Sequence, residues 1–331
     1  MKKLPFFAAL FSAALFLGAG CEKETVTTPP TAAQTPPPGT NSHVIAVIPK
    51  LTKPVFWQSV LAGAKEAGKD FGYEIVWDGP DRETNSARQI QIVNDAIARQ
   101  VAGVVIAPVD RNALVPSVDK LEELGIPCAI IDSGIETVNL LCIASTDNYQ
   151  GGVLAGQSMG KILGGKGNVI IVRHIPGSHA AAKRVSGFVT TITNEFPGIK
   201  IVDSQSGQDT VETARQATEE MLKRNPDVQG LFACNVDTSV GALKALQEQK
   251  RSEIKMVAFD PDKTLLDGLR TGQVNAIVLQ NPYQMGYEGV KAVAMRLKGE
   301  SVARMIDTGV DVVTSENLTE PKILRLLGEQ Q

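Results

Sequence analysis

The sequence predicts an α/β fold with two lobes, each built on a parallel sheet. Ten apolar runs of five to seven residues recur along the chain, and longer amphipathic stretches separate them. This alternation is typical of βαβ units, whose strands are buried on both faces. Ten strands are many for one twisted sheet, so two sheets in two lobes are predicted. The runs lie at residues 44–49, 73–77, 102–108, 127–132, 140–145, 168–172, 199–204, 230–234, 254–259 and 274–280.

Residues 1–20 predict a secretion signal. Lys2 and Lys3 form a positively charged N-terminal region, and residues 6–17 form an apolar run that is too short to span a bilayer comfortably. Small residues then lead to Cys21. The pattern resembles a bacterial lipoprotein signal, in which the chain is cut before the cysteine and that cysteine carries the lipid. A plain secretory signal with an incidental Cys21 is the alternative, and both predict an exported protein.

The charge balance argues against a nucleic-acid-binding protein. The chain has 36 Asp and Glu against 33 Lys and Arg, and no basic cluster follows the first three residues. Nucleic-acid-binding domains are usually strongly basic. Removal of residues 1–21 leaves 31 Lys and Arg against 36 acidic residues, a net charge of −5.

Residues 21–42 predict a lipid anchor followed by a tether. The segment is rich in Pro and Thr and has almost nothing to bury. Such a sequence cannot form a core, and its prolines favour an extended polyproline II conformation. At about 3.1 Å per residue, the tether could hold a folded domain roughly 65 Å from its anchor.

Polar side chains stand at the ends of four predicted strands. Asp132 and Asp260 follow two apolar runs, Asn235 follows a third, and Gln280 ends a fourth. Ligands of open α/β sheets bind outside the carboxyl ends of the strands. These four side chains, drawn from both halves of the chain, are therefore expected to converge on one polar ligand. A helix N-cap is the alternative role for Asp132 and Asp260, and also for Asp237, which is left out of the predicted site.

Motifs of enzymes occur in the sequence, but in the wrong structural context. Residues 156–160 match G-x-S-x-G, yet they continue a helix that is predicted to begin near Asn148, whereas the motif needs a strand directly before it. Residues 160–166 approximate a P-loop, but Gly167 replaces the magnesium-binding Ser or Thr. We predict no catalytic residues and no cofactor. An exported hydrolase that uses Ser158 is an alternative.

Neither a metal site nor a disulfide framework is predicted. The three histidines have no metal-ligand spacing with the cysteines. Cys128, Cys142 and Cys234 lie within apolar runs, where a free cysteine acts as a small hydrophobe. Buried thiols are expected, with a disulfide between Cys128 and Cys142 as the alternative.

Six segments of the chain match a known family in its own order. They are residues 53–76, 127–134, 143–159, 177–188, 225–246 and 256–290. Together they resemble periplasmic sugar-binding proteins of the ribose-binding type, the receptor subunits of ABC importers. The resemblance implies the type I periplasmic binding protein fold, in which two Rossmann-like lobes are joined by a three-stranded hinge. It places the N-terminal lobe at 43–145 plus 281–309 and the C-terminal lobe at 146–280 plus 310–325.

The resemblance also implies a set of ligand-binding residues. The family's aromatic pair falls on Phe56 and Trp57, which would stack on the apolar faces of a sugar ring, although aromatic residues at a helix start often belong to the core. The family's polar contacts fall on Asp132, Asn235, Asp260 and Gln280, whose carboxylate and amide groups would bind the hydroxyls of the sugar.

Two positions depart from the ribose binders. Ser133 and Ala182 stand where those proteins have arginines, so ribose itself is not assigned. Arg184 is predicted as a ligand-binding residue, and the other candidate replacement donors are Arg173, His174 and His179.

The predicted function is capture of a monosaccharide or related polyol between two lobes and its delivery to the membrane subunits of an ABC permease. The chain is expected to be a monomeric lipoprotein that faces the periplasm or the cell exterior. Alternatives are a binding protein for a furanosyl signalling compound and a ligand-loaded partner of a chemoreceptor or sensor kinase.

Overall fold

The computed structural model describes residues 41–327 of the chain. The predicted secretion signal, Cys21 and nearly all of the predicted tether lie outside these residues. The strands are β1 (Asn41–Ile48), β2 (Glu74–Trp77), β3 (Val101–Ile106), β4 (Cys128–Ile131), β5 (Cys142–Ser145), β6 (Lys166–Arg173), β7 (Gly198–Ser206), β8 (Gly230–Ala233), β9 (Lys255–Phe259), β10 (Ala276–Gln280), β11 (Met305–Asp307) and β12 (Val310–Val313). The helices are α1 (Val55–Phe71), α2 (Ser86–Ala98), α3 (Val115–Glu123), α4 (Asn148–Ile162), α5 (His179–Glu195), α6 (Val211–Arg224), α7 (Val236–Glu248), α8 (Lys263–Arg270), α9 (Pro282–Leu297) and α10 (Pro321–Leu326).

The strands form two six-stranded sheets with the same internal order. The first sheet runs β2-β1-β3-β4-β5-β11, and the second runs β7-β6-β8-β9-β10-β12. Central strands such as β3 are buried at every position, as their continuous apolar runs predict. The predicted α/β fold with two lobes is confirmed.

The second sheet differs from the prediction at its edge, because β12 runs antiparallel to β10. Here only Thr308 and Gly309 separate β11 from β12, so the chain passes directly from the first sheet into the second.

The chain passes between the two sheets three times. The crossings follow β5, follow β10 and separate β11 from β12. Helix α9 therefore packs on α1 in the first lobe, although it follows a strand of the second. The first strand begins at Asn41, two residues before the predicted start of the lobe. Between residues 41 and 327, no helix is long and apolar enough to cross a bilayer.

Candidate ligand-binding site

The carboxyl ends of strands from both sheets face one cavity between the lobes. The cavity has a volume of about 80 Å³. One water molecule needs about 10–15 Å³, so the space suits a single small polar molecule. The lining residues are Lys50, Leu51, Pro54, Phe56, Trp57, Glu83, Asp132, His174, Ser178, Ala180, Ala181, Arg184, Asn235, Val236, Asp237, Asp260 and Gln280.

The structure brings every side chain of the predicted ligand-binding set into this lining. The set comprises Phe56, Trp57, Asp132, Arg184, Asn235, Asp260 and Gln280. Phe56 to Asp132 belong to the first lobe, Arg184 to Asp260 belong to the second, and Gln280 ends the strand from which the chain crosses back. A molecule in the cavity can therefore touch both lobes at once.

The first lobe contributes a buried ion pair. Lys50 Nζ lies 2.7 Å from Asp132 Oδ2 and donates to Ser133 Oγ, also at 2.7 Å. Both charged side chains are only 6% exposed. The small Ser133 side chain, at one of the two positions that depart from the predicted pattern, accepts this hydrogen bond. Two of the three ammonium hydrogens are used, which leaves one donor for a ligand.

The second lobe contributes a chain of three polar side chains. Arg184 Nη1 lies 3.5 Å from Asp260 Oδ2, and Gln280 Nε2 donates to Asp260 Oδ1 at 2.7 Å. Burial raises the pKa of Asp260, while the Arg184 charge and the Gln280 hydrogen bond oppose that rise. The Arg184 guanidinium also lies 3.9 Å from the centre of the Phe259 ring. The group is thus a rigid donor and acceptor array on one side of the cavity.

Close packing of α4 on α5 fixes the position of Arg184. A Cβ on Gly152 would lie 2.0 Å from the Arg184 carbonyl oxygen, so only glycine permits this approach. Arg184 Nε then donates to Asn148 Oδ1 at 2.8 Å, and Nη1 donates to the Cys234 carbonyl at 2.9 Å.

Gln280 carries an unsatisfied acceptor. The residue is 3% exposed, and its Oε1 has no hydrogen-bond partner within the described residues. An unpaired buried polar group costs about 1–3 kcal/mol. A donor from a molecule in the cavity would remove that cost.

The capping alternatives do not hold for Asp132, Asp260 and Asp237. The N-caps of the following helices α4, α7 and α8 are Asp147, Asn235 and Asp262. Asp132 and Asp260 instead have left-handed backbone angles, with φ of 61° and 66°, at turns immediately after β4 and β9.

Asn235 has a structural role as well as a place in the cavity. Its side chain accepts from Thr238 N, and Thr238 Oγ1 accepts from Asn235 N, which forms a capping box at the start of α7. The cap fixes the orientation of the Asn235 amide, with Oδ1 towards the helix and Nδ2 available elsewhere.

The predicted aromatic pair lies at the start of α1. The rings of Phe56 and Trp57 meet edge to face, with 4.9 Å between centroids. Trp57 is 4% exposed and packs in the core of the first lobe, whereas Phe56 is half-buried. Trp57 therefore belongs to the core of the first lobe and also lines the cavity.

Several lining residues were not part of the predicted set. Lys50 and Glu83 follow strands β1 and β2, so the strand-end rule that selected Asp132 could have found Lys50 as well. Asp237, which lies outside the predicted set, lines the cavity in the first turn of α7. Burial and the nearby Glu83 charge raise the pKa of Asp237 to about 6.

Among the candidate replacement donors, His174 and Arg184 line the cavity. Arg173 is exposed and donates to the Ser204 carbonyl, away from the lining. His179 lies at the lobe interface next to Gly134 but does not line the cavity.

The lobes meet directly on one side of the cavity. Arg82 of the first lobe donates to both carboxylate oxygens of Asp209 in the second, with Nη2 2.9 Å from Oδ1. Thr84 Oγ1 donates to the same carboxylate at 2.9 Å, and Glu83 Oε2 lies 3.0 Å from His174 Nε2. Three consecutive residues of the β2–α2 loop therefore hold the two lobes together in a closed arrangement.

The serine of the G-x-S-x-G motif lies within a helix, and the three cysteines of the described residues are buried. Ser158 lies inside α4 and donates to the Leu154 carbonyl of its own helix. Cys128, Cys142 and Cys234 are free and buried, and burial raises the thiol pKa of each. Between residues 41 and 327, no group of three or more His, Cys, Asp or Glu side chains could hold a metal ion.

Comparison with known proteins agrees with this geometry. Residues 45–301 match the family model described as periplasmic binding protein domain. The chain is 28% identical over 274 residues to the ribose import binding protein RbsB of Escherichia coli K12, covering 82% of this chain and 90% of that protein.

Solved structures of solute-binding proteins show the same fold. A carbohydrate transporter solute-binding protein from Agrobacterium radiobacter in complex with D-arabinose is 34% identical with a TM-score of 0.83, covering 86% of this chain and 98% of that one. A solute-binding protein of an ABC transporter from Agrobacterium vitis with bound D-fucose is 34% identical with a TM-score of 0.81, covering 85% and 98% of the two chains.

The predicted resemblance to ribose-type sugar-binding proteins of ABC importers is confirmed by these matches, and so is the prediction that the protein is not an enzyme. The chain belongs to the periplasmic binding protein family.

Proposed function

We propose that this protein captures a monosaccharide or related polyol between its two lobes and delivers it to an ABC permease. The unpartnered Gln280 Oε1 in the cavity is the observation that carries the proposal. A sugar hydroxyl supplies the donor that this buried oxygen lacks, and its own oxygen can accept from Lys50 or Arg184. The relatives named with ribose, D-arabinose and D-fucose support a ligand of this class.

The proposed ligand contacts are divided between ring faces and ring edge. Phe56 and Trp57 offer apolar surface to the C–H faces of a sugar, and the polar contacts surround its hydroxyls. The proposed polar contacts are Asp132, Arg184, Asn235, Asp260 and Gln280, now joined by Lys50.

Closure of the lobes follows from where these contacts lie. A ligand touches Asp132 and Asn235 together only when the lobes are shut, so it binds the closed form better than the open one. Such a ligand shifts the equilibrium towards closure by its difference in affinity for the two forms. The permease would then recognise the closed form.

The proposal extends to the organisation of the exported chain. Residues 1–20 would be removed as a signal, Cys21 would carry a lipid, and residues 21–42 would tether a monomeric receptor to the membrane. The lobes would comprise 43–145 plus 281–309 and 146–280 plus 310–325. The two sheets, whose strands divide at these positions, support the proposed boundaries.

Thermal-shift and calorimetric titrations against pentoses, hexoses and polyols test the proposed function. At about 100 times Kd, a ligand adds roughly 2.7 kcal/mol of stability, which is a clear rise in Tm. At least one sugar is expected to bind, and Gln280→Met, which removes both the acceptor and the hydrogen bond to Asp260, is expected to weaken its binding at least fivefold. Absence of a shift and of heat with every sugar would contradict the proposal. Metabolic labelling with a fatty acid, with Cys21→Ala as the control, tests the anchor separately.

A further inference from the structure

The lining of the cavity carries an excess of negative charge. Four carboxylates stand against two fixed cations, namely Glu83, Asp132, Asp237 and Asp260 against Lys50 and Arg184. The excess is two negative charges, and it is still one when the remaining titratable side chain of the lining, His174, is counted as a cation. The negative sign therefore holds for either state of that ring.

Both cations are used by carboxylates of their own lobe. Lys50 Nζ lies 2.7 Å from Asp132 Oδ2, and Arg184 Nη1 lies 3.5 Å from Asp260 Oδ2. All four side chains are at most 8% exposed. Opposite charges at these distances largely cancel each other's field. The excess therefore lies on the two carboxylates that remain.

Glu83 is the first of these two carboxylates. It belongs to the first lobe, and its Oε2 lies 3.0 Å from Nε2 of His174 in the second. Burial alone would raise the pKa of Glu83, but the hydrogen bond with His174 and the charges of Lys50 and Arg184 lower it to about 2. Glu83 is therefore ionised at neutral pH.

Asp237 is the second, and its carboxylate has no partner in the described part of the chain. The residue is half-buried in the first turn of α7 and forms no hydrogen bond or ion pair with any residue from 41 to 327. Burial and the nearby Glu83 charge raise the pKa of Asp237 to about 6, so the ionised form carries a cost at pH 7. A cation beside Asp237 would offset that cost.

A buried acceptor in the same lining also lacks a donor. Gln280 is 3% exposed, its Nε2 is used by Asp260, and its Oε1 has no hydrogen-bond partner within the described residues. A hydroxyl brings one donor together with two lone pairs, whereas an ammonium group brings three donors and no acceptor. The Asp237 carboxylate and Gln280 Oε1 are both acceptors. The lining therefore suits a ligand that has more donors than a neutral sugar.

An organic cation fits these groups better than a metal ion. Among residues 41–327, no cluster of three or more His, Cys, Asp or Glu side chains could hold a metal ion. A primary ammonium group needs only a carboxylate and one or two further acceptors, because it binds through hydrogen bonds that its charge strengthens. The cavity offers that smaller set.

We propose that the ligand is an amino sugar, a monosaccharide in which a primary ammonium group replaces one hydroxyl, and that Asp237 binds the ammonium. The proposal rests on the proposed function and narrows its ligand class. The two ion pairs of the lining meet the sugar hydroxyls, and the charge of Glu83 adds to the attraction at Asp237. Asp237 is thus a specificity-determining residue, which selects a cationic sugar over a neutral or anionic one of the same shape.

Calorimetric titration with matched pairs of sugars tests this selection. The amino sugars are D-glucosamine, D-galactosamine and the 6-amino-6-deoxy forms of D-glucose and D-galactose, and D-glucose and D-galactose are their neutral parents. At pH 7.0 Asp237 is largely ionised, and an amine beside carbon–oxygen bonds is protonated, like an α-amino group with a pKa of about 7.7–8.0. At least one amino sugar is expected to bind about tenfold more tightly than its parent.

Anionic and further neutral sugars complete the panel. D-glucuronate and D-galacturonate are expected to bind more weakly than the neutral parents, because the lining repels them. A neutral sugar of the panel, D-ribose, D-arabinose and D-fucose included, that binds as tightly as the amino sugars would overturn the proposal and leave the proposed function intact. So would a uronate that binds as tightly. Failure of every sugar to bind would overturn the proposed function itself.

Asp237→Asn assigns the preference to one carboxylate. The amide keeps the shape of the side chain and removes its charge, so the preference for the amine is expected to fall towards equality while the neutral parent binds no more weakly. A merely structural role would instead weaken both sugars together. Retention of the full preference in Asp237→Asn would contradict the assignment.

Asp262→Asn is the matched control. The Asp262 charge also acts on Asp237, but the residue lies outside the lining, where it caps α8. Asparagine caps helices as well as aspartate does, so the fold is kept. The preference for the amino sugar is expected to persist. An equal loss of preference in Asp237→Asn and Asp262→Asn would show a general effect of charge and overturn the role of Asp237.

Discussion

Asp132 and Asp260 occupy equivalent positions in the two lobes. Each follows the fourth strand of its lobe with a left-handed backbone, and each donates its N–H to the neighbouring fifth strand, Asp132 to Ala144 O at 3.3 Å and Asp260 to Val278 O at 2.9 Å. A left-handed backbone is uncommon outside glycine and is tolerated best by Asp and Asn. The turn directs both carboxylates into the cavity, where each meets a buried cation of its own lobe.

Neutralising Asp132 should destabilise the protein strongly. In Asp132→Asn the Lys50 ammonium remains buried without its counterion, and loss of one partner of a buried pair costs about 3–5 kcal/mol. Urea unfolding measures this loss. Asp78→Asn is the control, because the Asp78–Arg88 pair is 48% and 37% exposed and should contribute less than about 1 kcal/mol. Equal losses in the two variants would contradict the account of the buried pair.

The two tryptophans should report ligand binding differently. Trp57 lines the cavity, whereas Trp77 lies on β2 and does not. Trp57→Phe keeps an aromatic ring but is expected to lose the change in tryptophan fluorescence that accompanies ligand binding. Trp77→Phe is expected to retain it. A change that follows Trp77 would exclude Trp57 as part of the binding surface.

Asp237 should make the closed protein less stable at neutral pH. Its pKa is raised to about 6 from the model-compound value of 3.8, so the folded protein holds this proton more tightly than the unfolded chain. The ionised form therefore costs stability above pH 6, and the cost disappears as pH falls from 6 towards 3.8. Asp237→Asn is expected to raise the free energy of unfolding at pH 7.5 by up to about 3 kcal/mol.

The same variant should lose most of its advantage at pH 4, where the folded wild type is protonated at this position and the unfolded chain, with a pKa of 3.8, is about half protonated. Asp227→Asn, at an exposed position, is the control and is expected to change little at either pH. A stabilisation by Asp237→Asn that is equal at pH 4 and pH 7.5 would show that titration of Asp237 is not the cause.

Gly134 should be required for closure and not for folding of the lobes. A Cβ at this position would lie 2.2 Å from His179 Nδ1 in the other lobe. Gly134→Ala is expected to weaken ligand binding by about 5- to 150-fold, corresponding to about 1–3 kcal/mol of overpacking. Calorimetric titration measures the loss.

His179→Ala in the Gly134→Ala background tests whether the clash between lobes is the cause. Removal of the ring makes room for the new methyl group, so affinity should return towards that of the single His179→Ala variant. A double variant that binds no better than Gly134→Ala would locate the defect within the first lobe.

The ion pair between Arg82 and Asp209 should contribute modestly to closure. The Arg82 side chain is 57% exposed, so solvent and salt screen the pair even though its geometry is bidentate. Arg82→Gln is expected to lower ligand affinity about two- to fivefold at low salt and less at high salt. Lys263→Gln, which breaks an exposed pair inside the second lobe, is the control and should leave affinity unchanged. Equal effects of the two substitutions would show that the Arg82 pair does not favour closure.

Strands with strong local signals were predicted, and strands with weak signals were missed. Each of the ten apolar runs overlaps a strand, because continuous burial on both faces demands such runs. Strands β11 and β12 have only three and four residues and are mostly half-buried or exposed, so they show no apolar run. Their existence depends on pairing with β5 and β10, which lie far away in the sequence.

The candidate site shows the same division. The βαβ order and, through the strand ends, the polar residues at the cavity could be predicted from the sequence, because each of these signals is local. The partners of the buried charges depend on the folded arrangement: Lys50 meets Asp132 and Ser133, the latter 83 residues further along the chain, and Glu83 meets His174, 91 residues away. Those partners come together through sheet order and closure of the lobes, and the free energy of a buried charge depends on the neighbours that desolvate and pair it, which no local pattern encodes.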